Sequence, residues 1–340
     1  MISEENKSKH SSLLDDEELI NKRKKERYAY IIGIIIQIFW ASNVVQMKTF
    51  IQYFPEFYSD NSVLFWRMLV FTLIGYFLCI YKNEYIQSFS EIKNKKWFLL
   101  RNATSYIYIT CWVRMYSYFR VSTISVIGST APLIIILLSV ILIGEKFYMR
   151  YLFGVLLCIF GATIIILNDK KPESKSLILN DNLLVGILYS IINDSLFSLS
   201  TIGQKVLTNK GMNADLQNYY FGLYNAVPAF IIFVISGEIK NINFRYILYI
   251  LYVGLNGAIL YLYNYYTIYC LRYIAVSKYQ PVIYLSIVFI FILSSIILGE
   301  HIFFTDIIGA LIIIGFQYYN LVYPPGKNII QNFEKKSNIT

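Results

Sequence analysis

Runs of apolar residues, each about as long as a membrane crossing, alternate with short polar stretches along almost the whole chain. A helical span needs roughly 20 mostly apolar residues. On that measure the pattern predicts ten spans, at about 28–50, 63–81, 97–118, 122–143, 148–168, 183–208, 215–236, 244–270, 275–299 and 302–323. The runs are continuous rather than alternating, which excludes a transmembrane barrel. Several connections are only a few residues long, so neighbouring helices form antiparallel hairpins. The longest internal polar stretch, Asp169 to Asn182, reads as a linker. The expected organisation is a cytosolic tail over 1–27, a five-helix unit over 28–168, a linker over 169–182, a second five-helix unit over 183–323 and a cytosolic tail over 324–340. The fold class is all-α integral membrane.

Composition agrees with the pattern. Of 340 residues, 56% are apolar and 15% charged, whereas soluble domains carry near a quarter charged residues. That excludes a soluble globular enzyme. The first apolar run is too long for a signal-peptide core and is expected to stay as a span. Net charge is +9, but its placement matters more. With the N-terminus inside, the outer side holds only Lys48, Arg120, Lys170, Lys171, Lys175, Lys240 and Arg245, against nineteen Lys and Arg in inner loops and membrane-proximal tails. This bias places both termini in the cytosol. Basic residues distributed in this way orient a membrane protein and do not form a nucleic-acid surface. The four cysteines have no paired spacing and only two histidines occur, His10 and His301. No disulfide framework, metal site or cofactor is expected.

The two halves repeat. Gly144-Glu145 and Gly299-Glu300 are 155 residues apart, and each Glu is followed nine residues later by a glycine, Gly154 or Gly309. Phe119-Arg120-Val121 matches Leu271-Arg272-Tyr273, and Lys48 matches Lys205, in the same order. Five is an odd number of spans, so the second copy must run through the membrane upside down. An inverted-topology repeat of this kind underlies many secondary transporters.

Phe65-Trp66-Arg67, Leu99-Leu100-Arg101, Phe119-Arg120-Val121-Ser122, Ser129-Thr130-Ala131-Pro132-Leu133 and Gly144-Glu145-Lys146 together resemble the EamA domain of the drug/metabolite transporter superfamily, in two copies over about 31–167 and 183–321. The resemblance implies a transporter, not an enzyme.

Asp194 is the most informative residue. It lies near the middle of span six, where a charge must face protein or water. Ser190, Asp194, Ser198, Thr201 and Lys205 share one helical face, expected to point at a cavity. Burial disfavours the charged form of Asp194, so it could take up and release a proton. Arg67, Arg114 and Lys48 lie toward the outer ends of spans one to three and could form a positive vestibule for anionic or zwitterionic metabolites. Asn43, in span one, and Asn264, among tyrosines in span eight, complete the candidate substrate contacts. Glu145 and Glu300 end spans four and nine on opposite sides, where each could bond a helix terminus and act in gating.

The function expected is secondary transport of a small organic metabolite or drug-like solute through the lipid bilayer by alternating access, proton-coupled or exchanging. A non-transporting scaffold or receptor, and a membrane-embedded lipid enzyme, are the alternatives.

Overall fold

A computed structural model of the chain describes residues 20–57, 59–86, 91–92, 94–118, 128, 131–146, 149–167, 182–238, 244–298 and 304–322. Among these residues the only regular structure is helical. The first rod is α1 (20–35), which after a turn at Ile36 continues as α2 (Gln37–Tyr53). There follow α3 (Asp60–Tyr81), α4 (Lys95–Tyr118), α5 (Ala131–Leu138) running into a π-helical turn (Ser139–Ile143), and α6 (Met149–Leu167). The second half contains α7 (Asn182–Asn209), α8 (Ala214–Ile235), α9 (Phe244–Tyr273), α10 (Val276–Ile283), α11 (Leu285–Leu298) and α12 (Phe304–Val322).

Helices are what an apolar chain must form in hydrocarbon, because every backbone N–H and C=O needs an internal partner. Among the described residues, six helices are long and apolar enough to cross a membrane by length and composition, and three shorter apolar helices lie at Ala131–Ile143, Met149–Gly161 and Ile307–Phe316. The remaining rod, α4, is 24 residues long but carries Lys95, Lys96, Arg101, Asn102 and Arg114. Large apolar side chains such as Phe77, Ile141, Ile235, Ile296 and Leu311 stand exposed on the outer surface, where lipid would cover them.

α3 packs on α8 and α9, α4 on α7 and α8, α2 on α9 and α11, α5 on α7 and α10, and α6 on α12. Small residues set the closest approaches. A Cβ on Gly161 would stand 2.9 Å from the Gly309 carbonyl oxygen, and one on Gly257 would stand 2.3 Å from that of Arg67. Such contacts let helices associate by packing, without a hydrophobic driving force. Gly315, its counterpart of Gly161 in the repeat, faces open space instead.

Two interruptions matter for the site. Pro281 lies inside α10 and lacks the N–H that would continue the ladder. The rod turns at Tyr284 before α11 begins. Gly144 follows the π turn with φ +70°, a left-handed conformation that glycine adopts without strain. The linker over 169–181, Arg120, Ser122, Ser129 and Glu300 lie outside the described residues.

Candidate functional site

A cavity of about 130 Å³ opens between the helices. On the scale where one water needs ~10–15 Å³, it has room for several waters or one small organic molecule. Its walls come from both halves of the chain: Trp40 of α2, Arg67 of α3, Trp112 and Tyr116 of α4, Pro132 of α5, Asp194 of α7, Phe221 of α8, Tyr263 and Asn264 of α9, and Tyr284 at the break before α11.

One wall is aromatic. Trp40 stands 5.6 Å from Trp112 and 5.0 Å from Tyr263, centroid to centroid, and Trp112 meets Tyr116 edge-on at 5.0 Å. The Arg67 guanidinium lies over the Trp112 ring at 4.9 Å, so ring and cation attract. Arg67 is only 2% exposed. Its Nη2 donates to Asn43 Oδ1 at 2.8 Å, while Nε and Nη1 have no hydrogen-bond partner among the described residues. Asp194 is 3% exposed, and its Oδ1 accepts from Asn193 Nδ2 at 2.9 Å. One cavity therefore holds a buried cation and a buried carboxylate. With two flat aromatic side chains beside them, these groups can bind a small organic molecule by charge, hydrogen bonds and stacking.

Asp194, Arg67 and Asn264 line this cavity; the other candidate residues among those described do not. The stripe on α7 is rotated from its expected direction, so that Asn193, Asp194 and Phe197 face the cavity. Ser198 donates to the Asp194 carbonyl at 2.5 Å and Thr201 to the Phe197 carbonyl at 2.9 Å. Both hydroxyls thus satisfy their own helix. Asn43 orients Arg67 and also exchanges bonds with Asn256: its Nδ2 donates to the Asn256 carbonyl at 3.1 Å, and Asn256 Nδ2 donates to the Asn43 carbonyl at 3.0 Å. It is a positioning residue that ties α2 to α3 and α9.

The three cations expected at an outer vestibule have different surroundings. Arg67 is deep in the cavity. Arg114, 43% exposed, pairs with Asp60 at 3.7 Å and donates to Tyr189 Oη at 3.1 Å. Lys48 is half-buried on α2.

Lys205 has a different task. Its Nζ donates to the carbonyls of Leu271 and Ile274, the latter at 2.9 Å. These groups lie at the C-terminal end of α9. Just beyond, the Glu145 carboxylate accepts from the backbone N–H groups of Val276 at 2.9 Å and Ser277 at 3.1 Å. Those are the first free donors of α10. A helix carries partial negative charge at its C-terminus and partial positive charge at its N-terminus. The joint between α9 and α10 is therefore held by a cation on one side and an anion on the other. Gly144 turns the chain so that Glu145 can reach it, which gives the Gly144-Glu145 pair a physical reason. Glu145→Ala is expected to lower thermal stability by about 1–3 kcal/mol through two orphaned N–H groups. A double-mutant cycle of Glu145→Gln with Lys205→Met should show coupling in melting measurements; strictly additive effects would mean that the two charges do not share the joint.

The profile of the EamA-like transporter family matches residues 27–167 and 184–319. The chain belongs to the EamA-like transporter family. It is accordingly a multi-pass membrane transporter of the drug/metabolite kind, and members of this family are transporters, not enzymes. A solved crystal structure of a protein shares the fold of this EamA-like chain with a TM-score of 0.67 and 11% identity, over 90% of this chain and 99% of that one. No curated protein matches it.

Several residues at the cavity of this EamA-like transporter escaped the sequence reading: Trp40, Trp112, Asn193, Phe221 and Tyr284. The two tryptophans did carry a signal. Only four occur in the chain, and membrane proteins usually place Trp at the interfaces; Trp40 and Trp112 lie inside spans.

Proposed function

We propose that this protein is a secondary transporter that carries a small anionic or zwitterionic organic metabolite by alternating access, coupled to protons or to exchange. The observation that carries this reading is that Arg67 and Asp194, both buried, line one aromatic-walled cavity built by both halves of the chain. Arg67 would take an acidic group of the substrate, Asp194 a cationic group or a proton, and Trp40 and Trp112 the organic body. Asn264 would add a hydrogen bond.

On this reading ten spans form two units, 28–168 and 183–323, joined by the 169–182 linker and related by an inverted two-fold. Helix packing supports it. Exchanging spans one to five with six to ten maps the α3–α8, α5–α10 and α6–α12 contacts onto themselves. The same exchange maps α4–α7 onto α2–α9, α3–α9 onto α4–α8, and α2–α11 onto α5–α7. The discontinuous α10–α11 rod at the cavity is also what transporters of this architecture use at their sites. Tail tags are expected to be cytosolic at both ends, at 1–27 and 324–340. Selective-permeabilisation labelling checks this, and tags on opposite sides would remove the inverted repeat.

The function itself is tested in two steps. Metabolites that bind the folded protein raise its melting temperature in detergent. The best of them should then show saturable flux in proteoliposomes. A stabilising ligand with no flux would favour the scaffold or receptor alternative.

A further inference from the structure

Arg101 takes no part in the site described above. It lies on α4 seven residues before Tyr108, about 10 Å along the helix axis, toward the end of the bundle that carries Lys82 and Asp215. Its side chain is only 1% exposed. Nη1 donates to Gln217 Oε1 of α8, and the guanidinium stands 5.6 Å from the centroid of the Phe221 ring. Nε and Nη2 are buried without a hydrogen-bond partner among the described residues. Among the described residues no carboxylate pairs with it.

Phe221 belongs to two environments. It lines the cavity that holds Arg67, and its ring is the one over which Arg101 stands. Tyr108, also in the cavity wall, lies within electrostatic reach of both guanidiniums. Phe221 and Tyr108 thus partition the cavity from a second buried cation.

A buried guanidinium with open donors is costly unless something pairs with it, and intramembrane charges mark transport paths. Gln217 does not need Arg101 as an anchor, because its Nε2 already donates to Thr208 Oγ1 at 3.1 Å and to the Met212 carbonyl at 3.0 Å. We infer that Arg101 is a second oxyanion-binding station, behind Phe221, which receives the carboxylate, sulfonate or phosphate of the transported molecule as it leaves the central cavity. The inference rests on the central-site reading above. Two successive stations of modest affinity let an anion be held and passed on, as conduction through multi-site pathways requires.

The test uses the full-length protein with benzoate, benzenesulfonate and phenyl phosphate as probes, and benzylamine as the cationic control. Binding at the first station is read as quenching of tryptophan fluorescence, since Trp40 and Trp112 line the cavity. Arg101→Met should leave that dissociation constant unchanged and the melting temperature no lower. Flux of the bound anion into proteoliposomes should fall about tenfold or more, with Arg101→Lys intermediate. Unchanged flux in Arg101→Met overturns the inference, and so does loss of quenching together with a lower melting temperature, which would make Arg101 a packing residue. If no probe quenches the parent, the central-site reading fails first and takes the second station with it. Should Arg101→Met not fold, Phe221→Ala decides: calorimetry should find two anions bound per chain instead of one, and a stoichiometry that stays at one overturns the inference.

Discussion

Asp194→Asn is expected to reach the membrane folded, to lose concentrative uptake and to keep substrate exchange. The carboxylate is buried, lines the cavity and accepts a hydrogen bond from Asn193. An asparagine keeps the shape and a carbonyl acceptor for that bond, but it is permanently neutral, as the protonated acid would be. Exchange needs no net proton movement and so survives. Concentrative uptake needs a group that binds a proton on one side and releases it on the other. One pH unit across the membrane corresponds to about 1.4 kcal/mol per proton, enough for about tenfold accumulation. The parent should approach that ratio in proteoliposomes, while the Asn variant should equilibrate and show exchange that no longer varies with pH. Accumulation by Asp194→Asn equal to the parent, with the same pH profile, would reduce Asp194 to a hydrogen bond between helices.

Arg67→Gln is expected to damage transport far more than stability. Two of the guanidinium nitrogens have no hydrogen-bond partner among the described residues, and the group faces a cavity with room for a ligand. A charge-assisted hydrogen bond is worth about 1.5–3 kcal/mol, so transport efficiency should fall about 10- to 150-fold. Arg67→Lys should lie between, because an ammonium keeps the charge but not the planar fork. Melting temperature should change little, since removal of a lone buried cation is often neutral or favourable and glutamine can still donate to Asn43. Kinetics in proteoliposomes and melting in detergent separate the two effects. Parent-like kinetics in both variants would make Arg67 a structural residue stacked on Trp112.

The Glu145–Lys205 joint lies close to the cavity along the chain. The two charges come from the end of the π turn and from α7, and they hold the connection between α9 and α10. α10 leads directly to Tyr284, which lies in the cavity wall within electrostatic reach of Asp194. A change at the joint therefore has a short mechanical route to the site, through one eight-residue helix.

Membrane class, helical architecture and family membership were legible from the chain itself. Apolar runs of span length admit only helices, and the motifs around Arg67, Pro132 and Gly144-Glu145 are local in sequence. Asp194 was legible for a similar reason: a carboxylate in the middle of an apolar run must face protein or water, whatever surrounds it. Which neighbours it faces was not legible. Ser198, Thr201 and Lys205 share a stripe with Asp194, but a helix with 3.6 residues per turn also brings Asn193, Asp194 and Phe197 close together. Periodicity defines both faces and does not say which one meets the cavity. The choice is made by α4 and α5 packing against α7. In the same way, sequence could place Arg67, Arg114 and Lys48 toward the outer ends of their spans but could not name their partners: Asp60 pairs with Arg114 and Asn43 accepts from Arg67, just as Lys205 reaches across to carbonyls 66 and 69 residues away. Hydrophobic burial depends on residue type and can be read locally, whereas the partner of a polar group depends on contacts between distant segments, and those exist only once the helices have packed.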